Sequence, residues 1–241
     1  MSRLVSTGVD GLDAILGGGI TPQSTVLVSG NPGTGKSLLG IQYLYTGVRE
    51  FDERGVYISF EEDAEDIRAA AESIGFESFD EYVDDGRIVV LDKRQLLGDG
   101  DLSETIDRIL ETVGDGGFDR LVLDSLSMFK LFFENEREER TYLLKFSDIL
   151  KENGLTSLLI NEQGAVFPDT EIGLENFLTD GNVYLIQTPT DSGVNRYLWV
   201  AKMRKQDIDT DIYPLEIDEG GLVVHDQAGG FTMMDNSETP F

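Results

Sequence analysis

Apolar positions along the chain switch between two periods. Short β-rich runs, TVLVS (25–29), VYISF (56–60), RIVVL (87–91), RLVLD (120–124) and TSLLIN (156–161), have the length and β-branched content of buried strands. Between them, LLGIQYLYTGVREF (38–51), AEDIRAAAESIG (64–75), LSETIDRILETVG (102–114) and RTYLLKFSDILKENG (140–154) repeat apolar residues at three- and four-residue steps, as helices lying on a sheet do. This alternation predicts right-handed crossovers and a mostly parallel central sheet flanked by helices. After residue 180 the rhythm changes. NVYLIQT (182–188), a PTDSGV turn and NRYLWVAKM (195–203) predict a hairpin, followed by short strands IYPLEI (212–217) and LVV (222–224). The expected architecture is one α/β domain over residues 1–225 with an antiparallel C-terminal edge. Residues 226–241 carry no periodicity and are expected to form a mobile tail.

Composition adds three constraints. With 40% hydrophobic residues among 241, there is apolar material for a sizeable core. The absence of Cys excludes disulfides and thiolate metal sites and fits a reducing compartment. The start, MSRLVSTGVDGLD, lacks the apolar stretch of a signal peptide, and no run approaches the ~18 apolar residues of a membrane span. A cytoplasmic protein with no membrane partner is expected. Charge is the abnormal quantity: 46 acidic against 19 basic side chains, a formal net charge of −27. The acids are spread through periodic segments rather than gathered in a tail. Such self-repulsion opposes a compact state unless salt screens it, so a cytosolic protein of a high-salt interior is the simplest reading, an ordinary very acidic protein the alternative. Neither surface advertises nucleic-acid phosphate contacts.

Residues 30–37, GNPGTGKS, fit G-x-x-x-x-G-K-[ST]. They follow a predicted strand and open a predicted helix, the context the motif requires. Gly30, Asn31, Pro32, Gly33, Thr34, Gly35, Lys36 and Ser37 would form a loop whose backbone N–H groups cradle an anion, reinforced by the helix N-terminus. Lys36 supplies a mobile cation for the β- and γ-phosphates of ATP, and the Ser37 hydroxyl is a ligand for Mg²⁺. The strand RLVLD delivers Asp124 to the edge of the sheet where open α/β folds bind ligands, as a second metal-shell residue. Its alternative role is the N-cap of the next helix. Glu61 and Glu62 follow the strand VYISF; they could orient and deprotonate a water or simply complement a helix dipole. Pattern alone leaves these two readings level.

Two stretches, STGVDGLDAILGGGI (6–20) and SGNPGTGKSLLGIQYLYTGVREFDERGVYISFEED (29–63), resemble the KaiC family within the RecA-like P-loop ATPases. The likeness extends to about residue 225, and its single-domain form resembles archaeal relatives, haloarchaeal ones by its acidity. The resemblance implies that Gly33 to Leu38 wrap the phosphates, that Ser73 lies near the base, that Glu61 and Glu62 are the catalytic pair, and that Asp124 is the Walker B acid. Asp180 matches an acid before the late strand, without an assigned role. AKMRKQD (201–207) matches the family's K-[LM]-R stretch, so Lys202, Met203 and Arg204 would contact nucleotide across a subunit boundary in a ring, a hexamer by this resemblance. On an edge strand, Lys202 and Arg204 share a side and Lys205 points away. Where the family's autokinase domains carry a Ser-Thr pair, this chain has Asn176 and Phe177, so self-phosphorylation at that pair is not available.

The leading reading is a slow, Mg²⁺-dependent ATP hydrolase acting as an oligomeric conformational switch. It implies a regulatory protein partner that no residue specifies. A second is a non-hydrolysing, ATP-loaded assembly module. A third is a RecA/RadB-like DNA recombination mediator, disfavoured because residues 164–179 contain no Lys or Arg. His225 is expected to be structural and Trp199 to pack.

Overall fold

The computed structural model describes residues 3–96, 102–131, 133, 135–163, 172–191 and 193–228. The elements before the phosphate-loop crossover and around it are α1 (Leu12–Ile15), β1 (Thr25–Gly30), α2 (Lys36–Phe51), β2 (Gly55–Ser59), α3 (Ala64–Ser73), α4 (Phe79–Asp84), β3 (Ile88–Leu91) and α5 (Lys93–Leu96). They are followed by α6 (Leu102–Asp115), β4 (Arg120–Asp124), α7 (Leu126–Lys130), α8 (Glu136–Glu152), β5 (Thr156–Glu162) and α9 (Leu174–Leu178). The chain continues with β6 (Gly181–Thr190), β7 (Gly193–Met203), β8 (Ile212–Asp218) and β9 (Gly221–Val224).

These strands form a single sheet in the order β3-β2-β4-β5-β1-β6-β7-β8-β9. Pairing is parallel from β3 to β6 and antiparallel from β6 to β9. This is the expected α/β architecture, a RecA-like parallel body with an antiparallel C-terminal part. The central strands β1, β2 and β4 are buried along their whole length, because helices cover both faces.

Alternation along the strands divides the core in two. Val26, Val28, Tyr57 and Val122 face α2 and α3, packing with Leu39, Tyr43, Leu44, Ile67 and Ala71. Leu27, Val56, Ile58, Leu121 and Leu123 face the other way, onto Ile109, Val113, Phe129, Leu143, Phe146 and Leu150 of α6, α7 and α8. Each buried side chain of this size stabilises the fold by about 1.5–3 kcal/mol relative to exposure. Trp199 packs as expected, its ring 5.2 Å from that of Tyr184. His225 directly follows β9, its Nε2 3.2 Å from Glu216 Oε2 of β8, and among the described residues no group of acids or His could hold a metal unaided.

The structure departs from expectation at the hairpin. Pairing of β6 with β7 continues to Thr190 opposite Gly193, so Pro189 and Thr190 belong to the ladder rather than the turn. β7 is an interior strand, not an edge, because β8 pairs with it from Arg196 to Trp199. Beyond that stretch, Lys202 is paired with β6 alone. A register shift between Asn182 and Val183 leaves Ala201 unopposed, a bulge that bends the strand end. The expected tail lies outside the described residues from 229 on, as do residues 164–171 of the proposed DNA-loop segment. No helix among the described residues is long and apolar enough to cross a membrane.

Candidate active site

The loop between β1 and α2 has the backbone that its glycines permit. Gly33 and Gly35 lie at φ +79° and +101°, values that only glycine adopts freely. A Cβ on Gly35 would also meet Ile217 Cδ1 at 2.7 Å. Thr34 turns inward, its hydroxyl donating to Asn31 O at 2.9 Å. Lys36 Nζ donates to the same carbonyl at 2.9 Å, so the ammonium is folded onto its own loop. Burial pushes the Lys36 pKa down, opposed by the nearby carboxylates of Glu162, Asp124 and Glu61. Pro32, Gly33, Gly35, Lys36, Ser37 and Leu38 line a cleft of about 500 Å³ at the C-terminal edge of the parallel strands. Gly30 ends β1, and Asn31 supplies the carbonyl that accepts from Thr34 and Lys36; neither lines the cleft.

Asp124 ends β4 and faces this cleft. The N-cap of α7 is Ser125, whose Oγ accepts from Met128 N, so the alternative capping role does not fall to Asp124. Tyr57, fully buried, donates its hydroxyl to Asp124 Oδ2 at 2.6 Å. Burial pushes the Asp124 carboxyl up, and its hydrogen bonds with Tyr57 and Ser37 oppose that shift. A hydroxyl and a carboxylate side by side are the hard-oxygen donors that Mg²⁺ takes alongside substrate phosphates. A cation there would offset the cost of holding Asp124 charged in a buried place, so the residues fit the ion.

The two readings of the acidic triplet also separate. Asp63 is the N-cap of α3, accepting from Asp66 N. Glu61 and Glu62 precede the helix and line the cleft instead. The Ser59 hydroxyl fixes their turn, accepting from Glu62 N at 3.0 Å and donating to Glu62 O at 2.9 Å. Ser125 Oγ donates to Glu61 Oε1 at 2.6 Å, and Lys93 Nζ donates to Glu61 O at 2.8 Å. Burial first, then the negative charges of Asp124, Asp66 and Glu61, raise the Glu62 pKa against the pull of Lys93.

Three cleft residues escaped the sequence reading: Glu162, Arg196 and Ile217. Glu162 ends β5 beside Gly30, and the acid-after-strand signal that flagged Asp124 was equally present there. Arg196 comes from the opening half of β7, which the antiparallel turn returns to the phosphate-loop end. Its Nε is buried without a hydrogen-bond partner among the described residues. The cleft thus holds two cations, Lys36 and Arg196, against the four carboxylates of Glu61, Glu62, Asp124 and Glu162. A triphosphate entering it requires further positive charge.

Four residues implied by resemblance lie elsewhere in the protomer. Ser73 is exposed on α3 and donates to Ala70 O at 2.7 Å. Met203 is packed in the core, 6% exposed. Lys202 donates to Asn176 O at 2.9 Å and Thr179 O at 2.6 Å, and Arg204 donates to Phe177 O at 3.0 Å. Both side chains thus reach carbonyls of the segment 176–179, but Arg204 lies just beyond the end of β7, and Lys205, expected to point away, lines a pocket together with Arg204 and Asp180. Lys202 and Arg204 sit beside Gly181, at the start of the parallel strands, since Met203 pairs with Gly181 and Gly181 with Val26. The length of β1, about 17 Å at ~3.3 Å per residue, separates them from their own phosphate loop. That is farther than either side chain extends.

Comparison with known proteins gives the family and the fold. The family described as "ATPase: KaiC" matches residues 5–229. The chain is 32% identical over 223 residues to the circadian clock oscillator protein KaiC of Synechococcus elongatus, covering 90% of this chain and 43% of that protein. It is 30% identical over 225 residues to the KaiC of Thermostichus vulcanus, with the same coverage of 90% and 43%. The chain therefore spans less than half the length of these relatives. A crystal structure of a KaiC-like protein from the hyperthermophilic archaeon Pyrococcus horikoshii superposes with a TM-score of 0.81 at 33% identity, covering 93% of this chain and 100% of that one. A P-loop strand and helix, a buried acid on the neighbouring strand and a carboxylate pair beside it, matched along nearly the whole chain, make this protein a member of the KaiC family of ATPases.

Proposed function

We propose that the chain is a Mg²⁺-dependent ATP hydrolase that assembles into a ring, a hexamer by resemblance, and acts as a slow conformational switch in regulation. The observation that carries this reading is the division of charged groups between two ends of one sheet. Lys36, Ser37, Asp124, Glu61 and Glu62 meet in one cleft, while Lys202 and Arg204 stand at the far end, beyond reach of it. The cleft's excess of carboxylates supports a cation arriving from outside the protomer, and in a ring the far end of one copy can face the cleft of the next.

In this mechanism the amides of Gly33 to Leu38 receive the phosphates, and Lys36 leaves Asn31 O to neutralise them. Ser37 and Asp124 would hold Mg²⁺, which supplies charge neutralisation at the β- and γ-phosphates when bound. Glu61 or Glu62 accepts the proton of the attacking water as its oxygen bonds to the γ-phosphorus and the bond to the bridging oxygen breaks. Arg204 of the adjacent copy, with Lys202 beside it, stabilises the charge that develops on the transferred group. The strong negative charge supports function in a high-salt cytoplasm, where screening is short-ranged.

Turnover and native mass, measured together at multimolar KCl with and without ATP, test this reading. Phosphate release together with a nucleotide-dependent multimer is expected. Bound ATP with no phosphate release would instead make the chain an ATP-loaded assembly module.

A further inference from the structure

Asp180 is the one acid of the family resemblance that the proposed chemistry leaves without a role, yet it is 9% exposed and heavily bonded. Its backbone N donates to Thr25 O at 2.8 Å, and Thr25 N donates to its Oδ2 at 3.1 Å. Asp180 is thereby fastened from both directions to the first residue of β1, the strand that ends in the phosphate loop. Lys151 Nζ lies 3.2 Å from the same Oδ2. The remaining carboxylate oxygen, Oδ1, faces the guanidinium of Arg204 at 3.8 Å. Arg204 N donates to Asp180 O at 2.8 Å, and the other guanidinium nitrogen donates to Phe177 O at 3.0 Å.

The guanidinium thus has one hydrogen bond, to Phe177 O, and a longer ion-pair contact to Asp180, while half of the side chain stays open to solvent. A planar fork biased by these two neighbours loses less rotamer freedom when it meets an anion. A free arginine on a strand end would have to be ordered at the moment of reaction. Because Thr25 also opens the phosphate-loop strand, the cation offered outward and the loop facing the opposite way are referenced to one rigid strand.

We propose that Asp180 is the positioning residue for Arg204, holding its guanidinium, with the Phe177 carbonyl, in the orientation that meets the γ-phosphate of a nucleotide bound to an adjacent copy. This rests on Arg204 acting across the subunit boundary. Asp180→Asn keeps the size and the Thr25 contact but removes the charge that faces Arg204. It should lower kcat by about tenfold or more, the scale of a misplaced catalytic group, with KM for ATP changed little.

The test is a cycle of Asp180→Asn, Arg204→Ala and the double variant, assayed for ATP turnover on assembled protein, with thermal midpoints recorded for each. If Asp180 acts through Arg204, the double variant turns over no more slowly than Arg204→Ala alone. Losses that multiply would overturn the proposal and make Asp180 a purely structural residue. If Arg204→Ala itself leaves turnover unchanged, the cross-boundary reading fails and the proposal falls with it, which is a distinguishable result. Should Asp180→Asn not fold, Arg204→Lys carries the test. It keeps the charge but lacks the fork that reaches Phe177 O and Asp180 together, so turnover should fall towards that of Arg204→Ala. Wild-type turnover in Arg204→Lys would show that charge without positioning suffices.

Discussion

Replacing Tyr57 with Phe removes a single oxygen and leaves the ring where it packs. The lost hydroxyl is the donor to Asp124 Oδ2 at 2.6 Å, on a side chain with 0% exposure. A hydrogen bond to a charged group contributes about 1.5–3 kcal/mol, and the burial of Tyr57 leaves no room for water to replace it. Nucleotide-free stability should therefore fall by about that amount. The same change removes support for a carboxylate that burial already pushes up, so its pKa should climb further. A raised folded pKa means that folding takes up a proton. The stability loss should thus be smallest below the ordinary carboxylate range and grow as pH rises through the raised value. Partners that orient a metal-binding carboxylate typically contribute 10–100-fold in affinity, or about 1.4–2.7 kcal/mol, the same range reached from the hydrogen bond. The assay is ATP titration of wild type and Tyr57→Phe at matched KCl, once with Mg²⁺ and once with a chelator. Affinity should drop about 10–100-fold with Mg²⁺ and by less than about threefold without it. Equal weakening under both conditions, or none in either, would refute the assignment of Asp124 to the metal shell.

Lys36→Ala should abolish measurable ATP binding, because that ammonium is the mobile cation of its own loop; binding within about threefold of wild type, ~0.7 kcal/mol, would dismiss the phosphate site. Glu61→Gln combined with Glu62→Gln should retain ATP but slow phosphate release by roughly 10²-fold; undiminished release would leave the pair without a catalytic role. The acid limb of the rate–pH profile should lie above the usual carboxylate range, since burial and neighbouring acids raise Glu62 and a base must be ionised to work. Lys93→Met removes a cation opposing that shift and should move the limb to still higher pH; an unmoved limb would mean that Glu62 does not set it.

The sheet was legible because both periods were strong and because the phosphate motif sat between a strand and a helix. Asp124 and Glu61 were legible for a related reason: an acid directly after an apolar strand run lands at the binding edge of a parallel sheet. Glu162 carried that same signal and could have been found by it. Arg196 could not be found from local pattern. It reaches the cleft only because β6 runs parallel to β1 and the hairpin returns β7 to the phosphate-loop end, a fact of long-range pairing. Tyr57 read as one more apolar strand residue, since nothing in the order of residues shows that a hydroxyl will meet an acid two strands' worth of folding later. The opposite placement of Lys202 and Arg204 was hidden in the same way. Their motif named a contact, while strand pairing sets them at the end of the sheet opposite the phosphate loop of their own chain.

The measurement that tests the central claim most directly mixes two separately inactive proteins, Lys36→Ala and Arg204→Ala, at multimolar KCl with ATP. In a mixed ring, an intact phosphate loop in one copy meets an intact Arg204 from the next, so hydrolysis should return in proportion to such junctions. Native mass must show that mixed assemblies have formed. Mixed rings that regain no hydrolysis would contradict a site completed between copies, and Lys202 and Arg204 would then be cations that serve only the fold of their own chain.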